Sequence, residues 1–513
     1  DVHRIILAIA PSNPSTLYAA IINASSGLRG LYKTIDGGDT WSAKPNTPDF
    51  PYPQGWYDAC IQVDPTDDDI VYAGGVFPSY AEAGVINTTN GGDSWNDVTI
   101  GVLGGQLHPD QHAIALGPDG TVWIGNDGGV WKSTNGGQSW INTNATLNVT
   151  QNYAVALHPT DAAQVMTGTQ DNGTIGREAD VSEWPQILSG DGGFLAYDID
   201  EPTRKYVTYV RLSVYRIDDY GWAYISGPWD NDPRNFISPL VMDPNDVHTL
   251  LGGTNRVWRT HNADTDADWT PISTSAVAGG GTLNAIAVAI GASDTIYTGS
   301  STGKVYVTTN ASTWYDRSSG LPSGQVADIV LNPEDPGTAY VSFHNTSGRR
   351  VLRTDDYGLN WADATGDLPN GISARALAVD WRLDPPGLYS GSGVGVYSSS
   401  DGGSTWIKDG LDLPNVNVGD LAIDPWRDTI TVGTYGRGSW RAALPGPDVL
   451  GDLDGDGDVD LNDFATFSLC YVGTEVTTPP SGCAQSEFAD SDLDGDGDVD
   501  LGDFATFALA FTG

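Results

Sequence analysis

The sequence predicts an all-β fold, a β-propeller of about ten four-stranded blades, followed by a small α-helical module built on paired Asp-rich loops. Three observations carry that expectation. A short motif ending in Trp returns at a spacing of about 45 residues, the size of one blade. Gly (64) and Trp (17) are abundant, as many short strands joined by tight turns require. Two nearly identical Asp-Gly stretches stand at the C-terminal end.

Five segments fit Ser/Thr-x-Asp/Asn-x-Gly-x-x-Trp, at residues 34–41, 88–95, 133–140, 354–361 and 399–406. Weaker copies lie at 216–222, 260–269 and 308–314, and the interval after 133 has room for one more unit near residue 175 with the motif lost. Each unit opens with an apolar strand, turns through Pro and Asp, and continues with a second strand. A third strand runs into the motif, and the residues after Trp supply a fourth. First strands fall near residues 5, 58, 112, 153, 193, 237, 284, 326, 375 and 419, which makes ten units. In the motif, Asp or Asn accepts backbone N–H groups of the turn, Gly permits a positive φ, and Trp buries a large area against a neighbouring blade. Its conspicuous residues are therefore expected to be structural rather than catalytic.

The net charge of −42 argues against nucleic acid, whose affinity depends on Lys and Arg neutralising phosphates, and against an anionic membrane surface. No apolar run is long enough to span a bilayer, so membrane insertion is not expected. The hydrophobic share of 39% is enough for a buried core. Of three cysteines, Cys470 and Cys483 are near enough in sequence to pair, and Cys60 is left as a small buried residue. The chain opens at Asp1 without a signal peptide, as a processed secreted chain or a fragment does.

The repeated motif resembles the Asp-box, or bacterial neuraminidase, repeat over residues 1–445. That family includes sialidases, xyloglucan-cleaving glycosidases and sortilin. Sortilin-like rings have ten blades and the xyloglucanases two rings of seven, so the resemblance implies one large ring, or two rings if upstream blades are missing. It does not fix an activity. The last unit, running through the segment YGRGSW at 435–440, has no Asp-box and lacks an outer strand.

Residues 446–513 form the second expected domain. The segment DLDGDGDVDLNDFATF at 452–467 returns as DLDGDGDVDLGDFATF at 492–507. Each copy fits a calcium loop of EF-hand type. In the first, Asp452, Asp454 and Asp456 occupy positions 1, 3 and 5, Gly457 gives the turn at 6, Asp458 offers its carbonyl at 7, and Asp460 and Asp463 stand at 9 and 12. The second loop sets Asp492, Asp494, Asp496, Asp498, Asp500 and Asp503 at the matching positions. Spacing of this kind wraps six to eight oxygens round one hard cation, so two calcium ions are expected. The segment before the first loop, Pro-Gly-Pro at 445–447, cannot form an entering helix. Apolar residues after each loop recur at helical spacing. A duplicated loop and helix of this kind resembles a type I dockerin, which implies attachment to a protein partner. The insert between Cys470 and Cys483 departs from cellulosomal dockerins, and the Ser/Thr and Lys/Arg pairs with which they bind cohesin are absent from this sequence.

Antiparallel topology sorts the remaining unusual motifs. The loop into a first strand and the loop between second and third strands share one end of a blade, opposite the Trp motif. His108 and His112 precede and open the third unit, and Asp127 joins its second and third strands. Asp171 stands at the equivalent point of the fourth unit, and Asp191 leads into the fifth. These five are the candidate catalytic or binding residues, expected on one face of three adjacent blades. Paired carboxylates serve as acid and base in glycoside hydrolysis, and His108, His112 and an Asp suit a metal. Asp-Gly and Asn-Gly are also ordinary turns. The sialidase set is not seen: the early candidate at residues 4–6 reads Arg-Ile-Ile and lacks its Pro. Trp56, Tyr57, Trp184, Trp222 and Trp229 are candidate sugar platforms.

These readings lead to a secreted or cell-surface calcium-binding propeller that acts as a binding or assembly protein, with an extracellular protein or polysaccharide as partner. A secreted glycoside hydrolase using the Asp residues is the alternative, and a self-associating subunit of an extracellular polymer is the third reading.

Overall fold

The computed structural model describes residues 1–76, 84–177, 184–409, 413–444, 451–453 and 459–511. Nearly all regular structure before residue 445 is antiparallel strand, in ten sheets whose strands run in sequence order. Nine sheets have four strands and the tenth has three. They are numbered here as blades: 2–43, 60–97, 111–142, 152–188, 195–224, 240–271, 283–316, 326–363, 376–408 and 417–443. The ten first strands expected from the sequence are all present, including the blade near 175 that has lost its motif. The fold is the expected β-propeller architecture. No helix among the described residues is long and apolar enough to cross a membrane.

The chain divides into two compact units, Asp1–Val149 and Thr150–Gly513. Unit 1 holds blades 1 to 3. Unit 2 holds blades 4 to 10, and these seven close into a ring of their own. The first strand of blade 4 packs on the first two strands of blade 10. Gln151 and Tyr435 form an antiparallel bridge, and the Thr150 carbonyl accepts the amides of Gly436 and Gly438. The Asp420 carboxylate accepts the Val155 N–H at 2.8 Å, Asn152 donates to Ser439, and Arg441 donates to the Ala162 carbonyl. Closure thus uses side-chain and backbone clasps between four-stranded blade 4 and three-stranded blade 10. Blade 4 therefore takes blade 10 as its neighbour within unit 2.

The Trp motif acts as a strut between blades. Its Ser or Thr hydroxyl accepts the Gly amide four residues on, as in Gly38 to Thr34 and Gly358 to Thr354. Its Asp or Asn accepts an amide further round the turn, at Thr40, Ser94, Ser139 and Asn360. In five copies the Trp indole then reaches a carbonyl one blade back. Trp140 donates to Val98, Trp269 to Ile225, Trp314 to Ile272, Trp361 to Arg317 and Trp406 to Ala364. Trp41 bonds its own turn at Gly38 and is 41% exposed. The weak copy at 216–222 is instead a tight hairpin, and Trp222 stays 70% exposed. Trp229 is buried against Trp258 and Trp269, so it is core and not a sugar platform.

The C-terminal module contains three helices, α1 (Leu461–Cys470), α2 (Gln485–Ser491) and α3 (Leu501–Ala510). Val459, Phe467, Cys470, Phe488, Val499 and Phe507 form its core, and the rings of Phe467 and Phe507 stack at 5.2 Å. The two copies of the duplicated segment, offset by 40 residues, thus share one core, with Phe467 stacked on Phe507. Cys470 and Cys483 are joined in a disulfide, and Cys60 is a buried thiol that burial pushes up to about 12. Helix α2 leads directly into the second Asp-rich loop, so that loop has an entering helix the sequence reading did not expect. Pro445, Gly446 and Pro447 lie outside the described residues.

Candidate functional site

The candidate residues fall into separate groups. In unit 1, His112 opens the first strand of blade 3 and Asp127 sits in the turn after the second. Antiparallel pairing brings them together, with His112 Nε2 2.8 Å from Asp127 Oδ1. The Tyr57 hydroxyl donates to Asp127 Oδ2 at 3.2 Å, and the Tyr57 ring stands edge-on to His112 at 4.7 Å. The bond to Asp127 raises the His112 pKa against the opposing effect of burial. His108 plays another part. Its carbonyl accepts Gln111 Nε2 and Asn126 Nδ2, and its ring lies over Gly128, where a Cβ would come within 2.5 Å of His108 Cβ. His108 therefore shapes the loop.

Behind this dyad stand two carboxyls that the sequence reading did not single out. Asp58 is fully buried, and neither of its oxygens meets a hydrogen-bond donor. Its polar neighbour is the carboxyl of Asp110, with which it can share a proton. Burial, with Asp110 beside it, pushes the Asp58 carboxyl up to about 9, and burial raises Asp110 as well. Asp110 adopts a left-handed backbone (φ 64°), uncommon for a residue with a side chain, and Gln54 Nε2 donates to it at 3.0 Å.

Asp171 and Asp191 belong to unit 2. The Asp171 amide donates to Asp191 Oδ1 at 3.1 Å, and Asp191 bridges to Gly173. Gly168, Gly173 and Gly192 meet backbone atoms at distances no Cβ tolerates, so this segment is a tight junction between blades 4 and 5. The five candidates are thus divided between the two units, with His108, His112 and Asp127 in unit 1 and Asp171 and Asp191 in unit 2.

The ring has its own cavity, of about 610 Å³. It opens at the end where first strands begin and second strands end, away from the Trp motifs. Five carboxamides line it, Asn152, Asn235, Asn284, Gln325 and Asn417, each at or just before a first strand. Tyr153 and Tyr435 add aromatic faces, and among the described residues no carboxylate lines it. The Tyr153 hydroxyl donates to Gln170, and burial, reinforced by Tyr435, keeps it protonated. His344 and Arg375 supply the remaining polar chemistry, and burial, followed by the Arg375 charge, lowers the His344 pKa. The sequence signal was a carboxamide recurring at the mouth of successive first strands.

In the tail, carboxylate oxygens of Asp492, Asp494 and Asp503 lie within 4.8 Å of one another, as do those of Asp498, Asp500 and Asp503, so these residues can hold a metal. Asp503 is fully buried and accepts the amides of Leu493, Asp494 and Asp500. Asp500 caps α3, with its carboxylate accepting the Gly502 amide, and Asp496 accepts the Asp498 amide. In the first loop Asp463 accepts the Leu453 and Asp460 amides and Asp460 caps α1. Asp452 is half-buried at the start of that loop. Asp454, Asp456, Gly457 and Asp458 lie outside the described residues.

No family model matches the chain, and no curated protein matches it. Solved structures do resemble it. The GH74 enzyme of Niastella koreensis is 16% identical with a TM-score of 0.33, over 86% of this chain and 83% of that one. The GH74 xyloglucanase of Xanthomonas campestris is 15% identical with a TM-score of 0.23, over 85% and 90%. The Cps50 (Swd1) β-propeller domain of Myceliophteria thermophila is 11% identical with a TM-score of 0.42, over 57% and 96%. Likeness at this level carries no argument about activity, and the propeller architecture rests on the ten sheets themselves.

Proposed function

We propose that the chain is an extracellular binding protein whose seven-bladed ring takes a hydroxyl-rich, sugar-like ligand, and whose C-terminal module folds round calcium and attaches the chain to a partner. The observation that carries this reading is the cavity at the mouth of the ring. Carboxamides donate and accept at once, as sugar hydroxyls do, and tyrosine rings offer apolar faces to pyranose C–H groups. Among the described residues no carboxylate lines the cavity, so it suits binding better than hydrolysis, which requires a pair of acids across the bond.

The tail supports the second half. Buried oxygens of Asp492 and Asp498 without hydrogen-bond partners suit a cation, in a module that resembles a dockerin. Its helices leave Leu461, Phe464, Leu469, Leu501, Phe504 and Leu509 exposed, a duplicated apolar surface for a protein partner. The Cys470–Cys483 disulfide fits an oxidising compartment.

Calorimetric titration of the full chain with neutral plant and algal oligosaccharides tests the reading. Saturable binding is expected, weakened at least about tenfold in Tyr153→Ala, a loss of about 1.4 kcal/mol. A broad panel without saturable binding contradicts it. Cleavage of a panel member that disappears in Asp127→Ala or Asp191→Ala establishes the hydrolase instead. Chelation of calcium is expected to remove the helical circular dichroism of the tail, and its retention at zero bound calcium contradicts the calcium assignment.

A further inference from the structure

We propose that Asp58 and Asp110 form a third cation site, in unit 1, which takes a hard divalent ion, calcium, and is separate from the Asp-rich tail. Asp58 is 0% exposed, and both its oxygens are buried without a donor. The group it faces is the carboxyl of Asp110, with which it can share only a proton. A shared proton satisfies one oxygen of Asp58 and leaves the other buried and unpartnered, at a cost of about 1–3 kcal/mol. A cation held through both oxygens satisfies them together, and calcium accepts carboxylates in either mono- or bidentate fashion.

An internal comparison strengthens the assignment. Among the described residues, carboxylate oxygens buried without a partner occur at Asp58, Asp492 and Asp498. The last two stand at positions 1 and 7 of the second tail loop, where the sequence pattern specifies calcium. Asp58 carries the same sign in a segment where no motif announces it. The donor set selects the ion. His112 is engaged by Asp127 at 2.8 Å and His108 Nδ1 by the Pro109 carbonyl at 3.2 Å, so the two carboxyls offer oxygen, and oxygen sets favour calcium over zinc. Gln54 holds Asp110 through its amide nitrogen, so the loop is positioned before any ion arrives.

Calcium content of the full chain after equilibrium dialysis tests this. Wild type is expected to hold one ion per chain more than either Asp110→Asn or Asp58→Asn, and Asp492→Asn is expected to leave that extra ion in place. Equal content in wild type and both variants overturns the proposal. A wild type with a single ion that Asp110→Asn abolishes upholds it while removing the tail assignment. The tail contains no Trp, so terbium luminescence excited through Trp reads the propeller site in the wild-type chain, even where a variant fails to fold. Emission that calcium competes away is expected, with Trp56 two residues from Asp58. Absence of calcium-competed emission contradicts the site.

Discussion

Units 1 and 2 are built from the same blade, yet one makes a ring and the other an arc of three. In the ring every blade has two neighbours, and struts such as Trp269 (7% exposed) and Trp406 (6%) are buried, as Trp140 (5%) is where it has a blade behind it in the arc. In the arc, the first strand of blade 1 shows Ile5, Leu7 and Ile9 more than half exposed, and Trp41 bonds only its own turn. The difference teaches that the repeat specifies a blade and its strut, while a few non-repeated residues specify closure. Asp420, Arg441 and Tyr435 belong to blade 10, the blade that has lost both its Trp motif and its fourth strand. Losing the outer strand leaves an edge, but the inner side of the same blade carries the clasp.

The comparison breaks most visibly at the struts. Trp406→Ala is expected to cost the ring about 4 kcal/mol through lost burial and an unfilled cavity, whereas Trp41→Ala costs about 1 kcal/mol or less. Urea unfolding followed by fluorescence measures both, and equal costs would contradict the distinction. The clasp comes next. Asp420→Ala leaves the Val155 amide buried without an acceptor, with an expected loss of about 2 kcal/mol in the same experiment.

Asp420→Asn separates charge from hydrogen bonding. Burial pushes the Asp420 carboxyl up to about 7, and Asp328, whose carboxylate accepts the Leu377 amide between blades 8 and 9, up to about 6. Both are raised above the unfolded value, so the folded chain keeps protons that the unfolded chain releases. Their effect is a fall in stability as pH rises from about 4 to 7, level above that. Melting temperature across this range is expected to decline less in Asp420→Asn than in wild type, and parallel profiles contradict the assignment. The smallest effect is expected on the exposed face of blade 1. Ile5→Ser with Leu7→Ser should change unfolding by no more than about 0.5 kcal/mol, because those side chains already meet water.

Legibility in the sequence follows the same division. Local periodicity announced all ten first strands, the Trp turns and the duplicated tail, because each rests on residues close together in the chain. Closure after seven blades was not legible, since Asp420 and Val155 are brought together across 265 residues without a motif. The site was half legible. His112 and Asp127 were found from their turns, while Asp58 was hidden because a lone Asp after Trp-Tyr looks like any loop residue until burial is known. The five carboxamides escaped notice because Asn and Gln read as turn residues when the ring that gathers them is not in view. Helix α2 was not legible because Gln485–Ser491 is only seven residues long with Phe488 as its one large apolar residue, too short a run for helical periodicity to show.

Ring closure at seven blades underlies both the cavity and the clasp, and a cysteine pair tests it most directly. Gln151 and Tyr435 face each other across an antiparallel bridge, a spacing that suits a disulfide. In oxidised Gln151→Cys/Tyr435→Cys, mass spectrometry of unreduced peptides is expected to find residues 151 and 435 linked within one chain. Two freely titrating thiols at those positions, with the native disulfide intact, would contradict the closed ring.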